Sequence, residues 1–101
     1  MRSDELASVS IKPATVPLRE VEILSRVGGD CTVGIQQIEH GYWYLSLAFE
    51  KGERYCLGTA RGERKLWRDV TNAIQFVQKN CHYASNVFVE FGSWRLERVN
   101  A

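Results

Sequence analysis

"YWYLSLAFE", residues 42–50, alternates without a break. Trp43, Leu45, Leu47 and Phe49 fall on one side of an extended chain, and Tyr42, Tyr44, Ser46 and Ala48 on the other. Successive strand side chains point to opposite faces, so this pattern predicts a strand with one apolar face in the core and one tyrosine-bearing face outside it.

The same period recurs on both sides. "CTVGIQQI", residues 31–38, places Cys31, Val33 and Ile35 together, and His40-Gly41 turns the chain into the central strand. Lys51-Gly52 suits a two-residue hairpin turn. "ERYCLGTA", residues 53–60, follows with Tyr55, Leu57 and Thr59 on one face. Arg61-Gly62 makes another turn, from which "ERKLW", residues 63–67, returns. Near the end, "NVFVEF", residues 86–91, aligns Val87, Val89 and Phe91, and "WRLERV", residues 94–99, extends it or packs across an edge. "ASVSIKP", residues 7–13, reads as a short first strand carrying Val9 and Ile11.

Two stretches change period. Leu18, Val21, Leu24 and Val27 recur at helical spacing, widened by Ile23, and predict a helix over about 17–27. Pro17 suits its first position and Gly28-Gly29 its left-handed end. Val70, Ala73, Ile74, Val77 and Cys81 mark a second helix, with Asp69 as N-cap and Lys79 and Asn80 near its end. The order β-α-β-β-β-(β)-α-β implies an α+β fold. An antiparallel sheet of four to six strands carries both amphipathic helices on one face and leaves the other partly open. Trp43, Leu45, Leu47 and Phe49 should be buried with Ile74 and Val77.

At 101 residues the chain suits one domain, 1–101, with residues 1–6 as a loose end. A hydrophobic fraction of 45% and a charged fraction of 25% are ordinary globular values. Three cysteines, Cys31, Cys56 and Cys81, with no C-x-x-C spacing, do not make a disulfide framework and fit buried free thiols in a cytoplasmic setting. No apolar run approaches the ~20 residues of a bilayer span, and the first residues lack a secretory apolar region. No membrane partner is expected.

The net charge of +1 is unevenly distributed. Residues 51–69 hold six basic and three acidic side chains, a local +3, against −3 for residues 1–50. Within this segment Arg54, Arg61, Arg64, Lys65 and Arg68 are candidate contacts for nucleic acid or an acidic protein, because guanidinium groups offer planar paired donors to phosphate or carboxylate. They could equally solvate an exposed hairpin and pair with Glu53, Glu63 and Asp69. Tyr42 and Tyr44 present a second candidate surface. Exposed tyrosines can stack unpaired bases, form a homodimer interface, or simply pack across strands, and a homodimer is expected.

Catalytic chemistry is not expected. Cys81 and His82 are only sequence neighbours, whereas a Cys–His pair acts through oriented spatial contact. The two histidines and three cysteines have no zinc-site spacing, and phosphate-binding glycine motifs are missing, so no metal or cofactor is expected.

"REVEILSRVGGDCTVGI" followed by "GTARGERKLWRDVTNAIQFV" resembles the small plasmid-borne ParC-family, partition-associated proteins. The matching positions are Leu18, Val21, Gly28, Gly29, Arg61, Gly62, Trp67, Ala73 and Phe76, spread over about half the chain. The likeness departs at Asp69, where Ser or Thr would be expected, and after Gly92. It implies a small accessory protein of a mobile element, acting on DNA or on a DNA-bound partner. A more distant topological likeness is to whirly-type single-strand-binding domains.

Overall fold

The computed structural model describes residues 14–38 and 41–99. The strand expected at 7–13, the end expected at 1–6, and His40 of the expected turn lie outside the described residues. Six strands and two helices follow in the order β1 (Ala14–Pro17), α1 (Leu18–Ser25), β2 (Cys31–Gln37), β3 (Trp43–Phe49), β4 (Arg54–Gly58), α2 (Val70–Asn80), β5 (Ala84–Phe91) and β6 (Trp94–Glu97). The strands make one mostly antiparallel sheet in the order β1-β4-β3-β2-β5-β6.

The hairpins β2–β3, β3–β4 and β5–β6 are antiparallel, as short turns require. Two joins are parallel: β1 beside β4, and β5 beside β2. A parallel partner must be reached by a crossover, and each helix supplies one. α1 carries the chain from β1 over β4 and β3 to β2; α2 carries it from β4 over β3 and β2 to β5. Both crossovers run in the same sense across the sheet, so a common hand brings both helices to one face.

That face is the core. Val33, Ile35, Leu45 and Leu47 from the central strands are fully or almost fully buried, with Trp43, Phe49 and Leu57 beside them. α1 inserts Val21, and α2 inserts Ala73 and Val77, with Ile74 partly buried against the cluster. α2 begins as expected: the Asp69 carboxylate accepts from the Thr71 N–H at 3.3 Å. Asn80 closes it by donating to the Phe76 carbonyl.

Several expectations need correction. α1 ends at Ser25, two residues short of the expected span; Pro17 is its N-cap, and Ile23 and Val27 are exposed rather than part of the inward stripe. An eight-residue helix has room for one buried position, Val21, flanked by half-buried Leu18 and Leu24. "ERKLW" does not form a strand. Only two isolated bridges hold it, Gly58 with Arg64 and Trp43 with Trp67. β4 ends at Gly58, leaving Thr59 outside, and Trp67 takes the place beside Trp43 through two main-chain bonds of 2.8 and 2.9 Å. Cys81 lies just past α2 as its C-cap, yet remains buried.

All three cysteines are free and buried. Burial pushes the Cys31 thiol up to about 11, reinforced by the neighbouring Cys81, and burial also raises Cys56 and Cys81. Thiols with raised pKa favour the folded state only while they stay protonated. Between the ordinary thiol value and the raised one, the unfolded chain has lost its protons and the folded chain has not, so stability falls as pH rises. Unfolding free energy should therefore decline from about pH 9 through pH 11, and native thiols should resist a thiol reagent at pH 8. Urea titrations across that range check the slope. A flat profile, or rapid native labelling, would show the thiols to be exposed.

Candidate nucleic-acid interface

Alternation carries a second set of side chains to the face that neither helix covers. From β3 come Tyr44, Ser46 and Ala48, from β2 Thr32 and Gln36, from β4 Arg54 and Cys56, from β5 Phe88 and Glu90, and from β6 Arg95. They line a shallow depression of about 510 Å³. Tyr42 has the same strand phase just before β3.

Gly34 makes the middle of this face possible. A Cβ there would lie 2.4 Å from the Phe88 ring and 2.6 Å from the Ser46 hydroxyl oxygen. Without one, the Phe88 ring lies down over the β2 backbone. Arg95 then covers Phe88, its guanidinium carbon 3.7 Å from the ring centre.

The basic stretch is divided by the fold. Arg64 reaches over Tyr44, at 4.8 Å from the ring centre, and Arg68 over Tyr42, at 5.6 Å, donating also to the Tyr42 hydroxyl at 3.1 Å. These two cations and two tyrosines, read separately from the sequence, form a single surface. Arg54 lines its depression. Arg61 stands exposed at the hairpin tip, where Gly62 takes φ +88°, a conformation open to glycine at no steric cost. Lys65 is separated from the others. Its ammonium lies 5.3 Å from the Trp67 ring and 5.9 Å from Phe76 of α2, on the helix side of the sheet.

The expected pairing of this stretch with Glu53, Glu63 and Asp69 does not form. Among the described residues, the ion pairs are those of Arg95, with Glu97 at 3.1 Å and Glu90 at 3.7 Å. Arg64, Lys65 and Arg68 lie over aromatic rings instead, an arrangement that leaves their charge unneutralised.

Sequence reasoning missed Phe88, Glu90 and Arg95. The available signal was their phase: with Val87 and Val89 inward, an aromatic and a carboxylate must face outward. Glu90 is the acidic member of the face, and Gln36 donates to it at 2.7 Å. Burial raises the Tyr44 hydroxyl, and Cys56 adds to the shift while Arg64 opposes it, so the phenol is neutral near pH 7 and can donate a hydrogen bond.

Cys81 faces inward, where the Tyr83 hydroxyl donates to its Sγ at 3.3 Å, and His82 is exposed. Among the described residues no three His, Cys, Asp or Glu side chains come together as a metal cluster. Nor is any described helix long and apolar enough to cross a membrane. No family model, curated protein or solved structure matches this chain.

Proposed function

We propose that this protein is a non-catalytic module that binds single-stranded nucleic acid on its open sheet face. The observation that carries this reading is the pair of roofed tyrosines, Arg64 on Tyr44 and Arg68 on Tyr42. Unpaired bases stack on aromatic rings and on guanidinium planes, and each such contact is sequence-tolerant because every base has a π-face. Arginines held by cation–π contact rather than by carboxylates keep their N–H groups for phosphate. Arg54 and Arg61 extend the positive edge along which a backbone would run.

A single strand suits the site better than a duplex, whose bases are turned away from a flat sheet. Glu90 sets a limit to the path: phosphates would follow the arginine side of the depression and bases the Phe88 side. The ParC-family resemblance, with its implied setting on a mobile element, points in the same direction.

The test is anisotropy of a labelled single-stranded 12-mer between about 50 and 200 mM salt. Wild type should bind more weakly as salt rises. The Arg54/Arg64/Arg68→Ala triple variant should bind more weakly still, with a salt slope smaller by about two units, since each single-strand phosphate contact contributes about 0.7. Lys65→Ala should leave binding unchanged, because that side chain belongs to the helix side. No binding by wild type, or equal binding by the triple variant, would sink the proposal; in that case an acidic protein becomes the better partner for the same arginines.

A further inference from the structure

A second surface lies on the other side of the sheet, at its far edge. α2 covers the central strands but not β5–β6. Between α2 and those strands runs an apolar trough of about 560 Å³ lined by Trp43, Val70, Ile74, Phe91, Trp94 and Leu96. Trp94 is 68% exposed, Leu96 59% and Phe91 55%. Beside the trough, β6 is the last strand of the sheet, with nothing bonded to its outer edge among the described residues. Exposed apolar side chains on an open edge strand are a pairing surface unless something blocks them.

We propose that the occupant is a second copy of this chain, joined through antiparallel pairing of β6 with β6 about a two-fold axis at Leu96. The backbone sets the phase. The Arg98 N–H bonds to the Val87 carbonyl at 2.9 Å. Antiparallel ladders alternate, so Leu96 and Trp94 also turn their N–H and C=O toward β5, and Arg95 and Glu97 turn theirs to the free edge.

Charge then chooses the register. With Leu96 opposite its own copy, Arg95 faces the partner's Glu97 and Glu97 faces the partner's Arg95, in the positions that exchange four main-chain hydrogen bonds; the pair that Arg95 makes with Glu97 of its own chain then becomes part of a four-charge cluster of alternating sign. Shifting the axis to Arg95 or to Glu97 sets like charges face to face, which is destabilising. On the trough side the two Leu96 side chains meet at the axis, and each Trp94 lies opposite the partner's Arg98.

Trp94 and Leu96 of each copy lie along the seam on the trough side, and Arg95 and Glu97 along it on the open face. With the paired backbones they make a small interface, at the low end of specific ones, so the ladder hydrogen bonds and the charge register carry the association. The dimer would have one continuous twelve-stranded sheet and both open faces on the same side. The inference stands independently of nucleic-acid binding.

Sedimentation of the full chain over a concentration series tests it. Wild type should be a dimer. Glu97→Arg and Arg95→Glu should each dimerise roughly tenfold more weakly or worse, because each puts two like-charge pairs in the ladder. Mixed in equal amounts, the two variants should associate with each other at near wild-type strength, since the mixture restores both opposite-charge pairs. Circular dichroism melts establish that each variant is folded before mixing. A monomeric wild type would overturn the proposal, and so would variants that dimerise like wild type or fail to associate when mixed.

Discussion

Replacing Leu47 by alanine is expected to lower the unfolding free energy by about 2–5 kcal/mol. Leu47 is 1% exposed at the centre of β3, opposite Val33 on one side and Tyr55 on the other. Removing its branched end leaves a cavity in the middle of the sheet–helix layer, where paired strands on both sides limit collapse. A domain of this size is stable by only about 5–15 kcal/mol, so this one change would consume a large share. Ser46→Ala, one residue away but on the open face, should change stability by less than about 0.5 kcal/mol. Urea denaturation reads both as shifts of midpoint at constant slope. Equal small losses in the two variants would mean that the faces of β3 are assigned backwards.

Removing the tyrosine platforms should have the next largest effect, on binding rather than on folding. Tyr42→Ala and Tyr44→Ala are each expected to weaken single-strand binding by about 1–3 kcal/mol, about five- to over a hundredfold. Both rings are only half-buried, so the folded state should persist. Conservative changes separate the roles. Tyr44→Phe keeps the ring beneath Arg64 and should bind nearly as wild type. Tyr42→Phe keeps the ring but loses the hydroxyl that accepts from Arg68, and should show an intermediate loss. If the phenylalanine variants bind as poorly as the alanine ones, the tyrosines act through their hydroxyls and base stacking is the wrong account.

Much of this architecture was legible locally. The unbroken alternation of residues 42–50 identified β3 and both of its faces, because burial of one sheet face acts on every second residue. The Asp69 cap and the spacing of Val70, Ala73 and Val77 located α2, because helical hydrogen bonding and periodicity act over three or four residues. Three widely spaced cysteines in apolar runs already read as free, buried thiols. Each of these signals lies within one element.

What remained hidden depends on which elements become neighbours. Nothing in residues 84–91 announces that β5 pairs in parallel with β2, since that partner lies more than fifty residues away in the chain and is reached only by the α2 crossover. The insertion brings Phe88, Glu90 and Arg95 onto the face of Tyr44. It also leaves β6 at the edge with Trp94 and Leu96 uncovered. Likewise, one run of cations looked like one patch in sequence. The bridges of Gly58 to Arg64 and Trp43 to Trp67 carry that run from the end of β4 to the start of β3, so Arg64 and Arg68 cross to the tyrosines while Lys65 packs toward α2. Sequence alone located β2, β3, β4, β5 and α2 with their apolar faces, since these follow from local period; β1, the early end of α1 and the irregular path of residues 63–67 do not, because they depend on what packs beside them. Tertiary structure alone decided which charges share a surface, since that follows from strand order and chain direction.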